Sequence, residues 1–383
     1  MNILQVVNST FGVRNAIGAR ALHIALNLPP EAELLVLARG ATAEAKERCQ
    51  VLHCGLSPAV GKTLKAVNVY LWRRFPHKRI LQRRFVADAR RCFSRLSVEE
   101  IDLVHTWAEI PEVILEAKRR NPRLVAIRDV SMRPACAAPS IAASPLDSVQ
   151  RDASGVDYFL APSPIVAESL TSECGIEANR IFTVPFGVDV ELFRPSGELA
   201  GSAPGPVGCF SVAFSGHLDR RKGIPELLAA WEQLDLPNAE LHLYGRVYPE
   251  VRPLLNGAKE RGIRVHGFVN LPEYLPRHDL FVLPSYREGS AKSVYEALAS
   301  GLPVVTTPEA GSVVRDGIEG RIVSAGDVSG LAGAIRQFCD DPALRARAAV
   351  AARARAEEFT WERYGSSVAR VYRTAVNRGP WPR

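Results

Sequence analysis

The stretch DLFVLPSYREGSAKSVYEALASGLPVVTT, residues 279–307, decides the fold. It opens with an apolar run of strand length, DLFVLPS (279–285), and a small-residue turn follows at Gly289, Ser290 and Ala291. The spacing then predicts a helix from about Lys292 to Ser300, stopped by Gly301 and Pro303. A second apolar run, PVVTT (303–307), completes the unit. Neither run alternates apolar with polar residues, as expected of strands covered by helices on both faces. Strand, helix and strand in this order imply a right-handed crossover and a parallel sheet.

The same unit recurs in both directions. Upstream of the linker described next, apolar runs fall at 3–7, 33–38, 102–107, 123–127, 158–163 and 180–185, with helical periodicity between them. Downstream they fall at 210–216, 240–245, 263–268, 279–285, 303–307 and 320–324. The two series are separated by RPSGELAGSAPGPVG (194–208), rich in Gly, Pro, Ser and Ala and without a hydrophobic period, which reads as a linker. The expected architecture is therefore α/β, with two doubly wound parallel-sheet domains, 1–193 and 209–360, facing a central cleft. Tyr364, Val368, Val371, Tyr372 and Val376 predict a last amphipathic helix, about 361–378, packed back on the first domain.

Composition fits such a fold. Hydrophobic residues make up 47% and charged residues 23% of 383, which argues against disorder. The seven cysteines are odd in number and none is in C-x-x-C spacing, so reduced buried thiols are expected and neither a disulfide framework nor a zinc site. No cluster of Asp, His or Cys has metal-ligand spacing, and no metal is expected. The opening MNILQVVNST lacks a basic start and a long apolar core; it reads as a first strand and not a signal peptide. No stretch could span a bilayer as one apolar helix. These features point to a cytoplasmic protein.

Open parallel sheets bind ligands beyond the carboxyl ends of their strands, so chemistry is sought in the loops that follow them. The turn at 289–291 would expose free N–H groups at a helix start, an arrangement suited to phosphate. Glu288 stands before that helix and Glu296 lies within it, so both can face one cleft. After FSVAFSG (210–216) comes HLDRRKG (217–223), where Lys222, flanked by Arg220 and Arg221, could neutralise charge on a departing phosphate. An ordinary capped helix with surface glutamates, or a solvated basic turn, would explain either loop alone; two anion-binding loops on one sheet make the site reading stronger.

Together these motifs resemble the donor domain of the retaining family 4 glycosyltransferases, which have a GT-B fold. The family pattern Gly-Arg-Leu, three residues, Lys-Gly fits Gly216–Gly223, and its glutamate pair separated by seven residues fits Glu288 and Glu296. EALASGLPVV (296–305), Gly311 and DGIEGRIV (316–323) fall where the family has counterparts, and VDYFLAPSPIVAESL (156–170) and IFTVPFGVDVELFRP (181–195) resemble the segment before the linker. The resemblance is close over roughly 155–360 and over 1–150 lies mainly in layout.

It implies a nucleotide-diphosphate-sugar donor as co-substrate, with no separate cofactor. Lys222, with Arg221 and the loop at Gly216 and His217, would hold the diphosphate, helped by backbone groups near Ser293 and Val294. Glu288, Gly289 and Ser290 would meet the transferred sugar and Glu296 the ribose. Gly245 and Gly267 would admit the base, lined by Phe268 and Val269. On the acceptor side it implies Gly12, Val13 and Arg14 in the first loop, His105 near the reacting carbon, and Trp107. Glu288, Lys222 and His105 are the implied catalytic groups. The chain departs from the family at His217, where an Arg is usual, at Trp107, where a second His is common, and at Val13 in the first loop.

The basic residues are concentrated. Between Lys62 and Arg95 there are eleven of them against one acid, Asp88, interleaved with residues such as Tyr70, Trp72, Phe75, Phe85 and Phe93. A solvated helical face, docking on an anionic membrane, and contact with an anionic acceptor or nucleic acid all fit, with Pro76 expected to divide two helices. GLSPAVGKT (55–63) imitates a P-loop but has five residues between its glycines where four are required. The sequence therefore predicts sugar transfer to an acceptor, a lipid-linked or cell-envelope glycan, at the inner membrane face, with no nucleic-acid partner. Rivals are a nucleotide-sugar epimerase or phosphorolytic enzyme, and a weakly catalytic binding protein.

Overall fold

The computed structural model describes residues 1–11, 17–55, 77–132, 149, 153–195 and 209–382. Seven parallel strands form the first sheet in the order β3-β2-β1-β4-β5-β6-β7. They are β1 Asn2–Phe11, β2 Glu33–Ala41, β3 Gln50–His53, β4 Leu103–Thr106, β5 Val125–Asp129, β6 Tyr158–Ala161 and β7 Ile181–Thr183. Six parallel strands form the second in the order β10-β9-β8-β11-β12-β13. They are β8 Phe210–Ser215, β9 Ala239–Tyr244, β10 Ile263–Gly267, β11 Leu280–Leu283, β12 Val304–Thr306 and β13 Gly320–Ile322.

All six expected runs of the second half are strands. In the first half β3 is an addition: QVLH is a short edge strand with both ends exposed, so it lacks the fully apolar signature of the strands inside the sheet. The strand order reverses between β1 and β4 in one sheet and between β8 and β11 in the other. Crevices open at such points, so the loops after these four strands are where a ligand would sit.

Each sheet has apolar cover on both faces. One face of the first receives Phe85 and Phe93 from the helix His77–Arg95, Val113 and Ile114 from Pro111–Arg120, and Val166 and Leu170 from Pro164–Ser172. The other receives Leu22 and Ile24 from Ile17–Leu26, and Val368 and Tyr372 from the last helix, Trp361–Arg378. The chain thus leaves the second sheet and returns to the first, and each fully buried Val or Leu on that face contributes about 1.5–3 kcal/mol. Inward-facing Phe85 and Phe93 also correct the reading of the basic segment: these aromatics are core residues, while Arg83, Arg84, Arg90, Arg91 and Arg95 line the exposed face. Residues 56–76, including the P-loop imitation, Tyr70, Trp72, Phe75 and Pro76, lie outside the described residues, as does most of the linker.

The two halves touch at glycine. A Cβ on Gly289, in the loop after β11, would lie 2.0 Å from the backbone oxygen of Ser131, just beyond β5. The Gly289 carbonyl accepts from Ser163 Oγ, beyond β6, at 2.5 Å. At the other end of the contact Val188 N–H donates to Phe359 O at 2.9 Å, beside an isolated bridge to Thr360.

The second sheet carries a histidine cluster in which His242 and His278 are buried and His266 is exposed. His242 Nδ1 is 3.0 Å from His266 Nε2, and its Nε2 is 3.3 Å from Glu240, which also binds Arg264. His278 shares hydrogen bonds with Ser211 Oγ at 2.5 Å and Tyr244 OH at 2.9 Å. Burial first, then positive neighbours, lowers the pKa of all three, that of His242 to about 4.

Two outcomes are expected. The unfolded imidazoles take up protons near pH 6.5 while the folded ones resist, so stability present above pH 6.5 falls as the pH drops toward 4. For His242 this amounts to about 2 kcal/mol between pH 6.5 and 5. Melting temperatures of wild type and His242→Gln between pH 7 and 5 test it; parallel curves would exclude His242 as the source. Gly289→Ala should force the halves apart, since backbone faces the added methyl, at a cost of about 1–3 kcal/mol. An increased radius of gyration in small-angle scattering with an unchanged circular dichroism spectrum is expected. An unchanged radius and melting temperature would show that the contact is not maintained in solution.

Candidate active site

The loops after β8 and β11 are joined by one carboxylate. Glu288, 9% exposed, accepts from Lys222 Nζ at 2.7 Å and from Arg221 Nη1, both through Oε1. Arg221 also donates to the Arg287 carbonyl at 2.9 Å, and its own carbonyl accepts from Tyr286 N–H at 2.9 Å. Asp219 receives the Lys222 backbone N–H at 2.9 Å, which closes the turn before the helix Ile224–Leu234. Lys222 is 8% exposed, so a charge that usually seeks water is held inside by a partner.

β9 brings a third loop alongside. A Cβ on Gly245 would lie 1.8 Å from the Gly216 carbonyl, so only glycine lets the loops after β8 and β9 lie this close. Gly245 N–H donates to the Gly267 carbonyl at 2.7 Å, which draws in the end of β10. Phe268 follows with 81% of its surface exposed, beside a half-buried Val269. An aromatic face left in water at a crevice suits stacking on a flat ring, as in a nucleobase. The structure thus brings Gly216, His217, Arg221, Lys222, Gly245, Gly267, Phe268, Val269 and Glu288 to one end of one sheet.

The helix Lys292–Ala299 starts at this end, with Ala291 at a cap position that has no side-chain hydrogen bond. Ser290 Oγ is hydrogen-bonded to Tyr295 OH at 2.7 Å, and the half-buried Ser293 stands in the first turn. Val294 N–H donates to the Ala291 carbonyl at 2.9 Å, so this group is engaged within the turn, contrary to its expected use toward phosphate. Glu296 pairs with Lys292 at 3.2 Å, and burial raises its pKa.

On the first sheet, Gly12, Val13 and Arg14 lie outside the described residues. His105 does not stand where the sequence suggested. It is 0% exposed, with Nδ1 at 2.5 Å from Tyr372 OH and its ring 4.0 Å from that of Trp107, itself buried. Alternation along β4 turns His105 and Trp107 to the face that the last helix covers, so neither is open to an acceptor. Burial lowers the His105 pKa to about 3, which leaves the ring neutral.

Sequence reasoning missed what lies next to it. Arg20, on Ile17–Leu26, meets Asp129 at 3.1 Å and Ser131 Oγ at 2.5 Å, both side chains of the ion pair being buried. Asp129, a carboxylate ending a strand of an otherwise apolar sheet, was a readable signal; Arg20 had none. Among the described residues no group of three or more His, Cys, Asp or Glu could hold a metal ion, and the six described cysteines are free.

The chain is similar to known proteins. Residues 209–341 match the family model "Glycosyl transferases group 1", and residues 31–192 match "Glycosyltransferase Family 4". A D-inositol 3-phosphate glycosyltransferase of Arthrobacter sp. is 29% identical over 249 residues, 61% of this chain and 59% of that protein. A glycogen synthase of Mycobacterium tuberculosis is 33% identical over 240 residues, 59% of this chain and 57% of that protein. The match thus spans under two thirds of the length of these two relatives. Among solved structures, sucrose-phosphate synthase of Thermosynechococcus elongatus superposes with a TM-score of 0.74 at 20% identity, covering 99% of this chain and 100% of that one. HepE of Anabaena in complex with UDP gives 0.71 at 18%, covering 98% and 100%. These likenesses show the GT-B fold, and with both halves matched by its models the chain belongs to the family 4 glycosyltransferases.

Proposed function

We propose that the chain transfers a sugar from a nucleoside-diphosphate-sugar to an acceptor with retention of anomeric configuration. The observation that carries this reading is the junction of two loops at the β8/β11 switch point, where Lys222 and Arg221 meet on Glu288. The diphosphate lies against Lys222 and the start of Lys292–Ala299, the base against Phe268, and the ribose near Glu296. HepE, the structural neighbour seen with UDP, is also known in complex with UDP-glucose, which supports a donor of this class.

The chemistry follows from charge. As the bond from sugar to phosphate breaks, negative charge grows on the leaving diphosphate, and Lys222 and the helix dipole stabilise it where water is excluded. Glu288 faces the sugar through its remaining oxygen and holds the Lys222 ammonium in place. The acceptor hydroxyl attacks from the face that the phosphate leaves, and the phosphate takes its proton. The first domain, residues 1–193, supplies the acceptor wall, and closure of the cleft at Gly289 excludes water. Residues 209–360 carry the donor.

The acceptor reading is a glycan or lipid-linked sugar at the cytoplasmic face of a membrane. Support comes from the exposed arginines of His77–Arg95, several of which keep only surface ion pairs, such as Arg90 with Glu116 at 3.4 Å. No helix among the described residues is long and apolar enough to cross a membrane. Since Phe85 and Phe93 face inward, docking through this helix is electrostatic.

Product formation against a panel of UDP-, GDP- and ADP-sugars tests the central reading. Lys222→Ala and Glu288→Ala are each expected to lower turnover by roughly 100-fold or more with the fold intact. Near-normal turnover in both would overturn the assignment, and donor consumption without acceptor or strict need for phosphate would favour an epimerase or phosphorolytic enzyme. Liposome flotation at low salt should show binding to anionic vesicles that 150 mM salt, where screening acts over about 8 Å, weakens. Equal binding to neutral vesicles would refute electrostatic docking.

A further inference from the structure

Charge around the donor loops does not balance as the sequence suggests. Lys222 and Arg221 are the two cations closest to the expected diphosphate, yet both are bound to Glu288, and Arg221 also faces Asp219 at 3.9 Å. Within this cluster two cations against two carboxylates leave little free charge, and the third cation of the loop, Arg220, is exposed. His217 does not make up the difference: burial lowers its pKa, and Arg221, Lys222 and Arg246 add to this against the opposing pull of Asp219. A diphosphate carries several negative charges and calls for a cation that no carboxylate already holds.

The loop after β9 provides one. Arg246 is locked against the β8 loop through its backbone, whose carbonyl accepts from Leu218 N–H at 2.9 Å. Tyr248 N–H returns to the Leu218 carbonyl at 3.0 Å, beside an isolated bridge between Leu218 and Val247. The Arg246 guanidinium lies over the Tyr248 ring, 5.5 Å from its centroid, and the His217 ring lies 5.2 Å from the same ring. Arg246 and His217 therefore flank one tyrosine at the mouth of the crevice. Among the described residues Arg246 has no carboxylate partner, and its side chain is exposed.

We infer that Arg246 is a phosphate-binding residue of the donor site, its guanidinium held ready by Tyr248. The role rests on the nucleotide-sugar reading above and deepens it. A planar guanidinium can grip two phosphate oxygens at once, which a lone ammonium such as Lys222 cannot. Tyr248 limits the rotamers of a long exposed side chain before the ligand arrives, which lowers the ordering cost of binding.

Titration calorimetry of UDP, with uridine measured by competition, tests the inference on the full chain. Arg246→Met should weaken UDP on the order of tenfold while uridine changes by less than about twofold. Arg246→Lys should recover part of the loss. His217→Arg in the Arg246→Met background should recover most of it, because the cation returns to the other side of Tyr248. UDP affinity unchanged in Arg246→Met, or uridine weakened as much as UDP, would overturn the inference while leaving the donor reading intact. So would a loss in Arg220→Met in place of Arg246→Met, since that would put the cation on the neighbouring exposed arginine. A wild-type chain that binds none of UDP, GDP and ADP would overturn the donor reading itself, and the inference with it.

Discussion

A single carboxylate oxygen, Oε1 of Glu288, accepts from both Arg221 and Lys222 in a place where little water reaches. Removing either cation leaves the other on the carboxylate, so the buried Glu288 charge stays compensated and only loss of both would strand it. Removing the carboxylate leaves two cations facing each other. The two loops beyond β8 and β11 are therefore tied by a contact that neither can abandon while the site is empty. An arriving diphosphate offers Lys222 a second anion. In the proposed reaction the ammonium is then already placed when charge develops, and little reorganisation is needed.

That contact depends on the sheet beneath it. β8 and β11 are neighbours in space but distant in sequence, because the chain builds β9 and β10 on one side of β8 before crossing to the other. The reversal leaves the two loops facing each other with no helix between them. Gly245 admits the third loop against Gly216, and Gly289 admits the backbone of Ser131 from the first sheet. At both positions a side chain would take up the space through which the backbones meet. The site is thus shaped by missing atoms as much as by charged ones.

The second half was legible in the sequence because its strands are buried on both faces and its loops carry polar residues at strand ends. The six apolar runs, the helix from Lys292 and the placing of Lys222 and Glu288 at one site across two loops all follow from that contrast; their ion pair does not. The first half was less legible for physical reasons that differ by residue. β3 is a four-residue edge strand with no fully apolar run. Phe85 and Phe93 look like membrane-facing residues when read among arginines, but a helical period of 3.6 turns them to the core. His105 reads as a strand-end functional group, and only the return of the last helix, separated from it by more than 250 residues, shows that its face is covered. Contacts of that sequence distance leave no local trace.

The return of Trp361–Arg378 also bears on how the halves can move. The chain crosses between the sheets twice, once through the linker and once just before Trp361, and the second crossing is pinned to the first half by the hydrogen bond from Val188 to Phe359. Trp361 then stacks on His23, with ring centroids 4.6 Å apart, and Tyr372 fills the space over β1 and β4. Rotation of one sheet against the other must therefore turn about this pinned edge. The opposite edge, where Ser131 and Ser163 meet Gly289, is held by a few backbone contacts and one side-chain hydrogen bond. In the proposed reaction the pinned edge would serve as the axis and opening would begin at the light one, which puts Glu288, next to Gly289, beside the line along which the cleft would admit a donor.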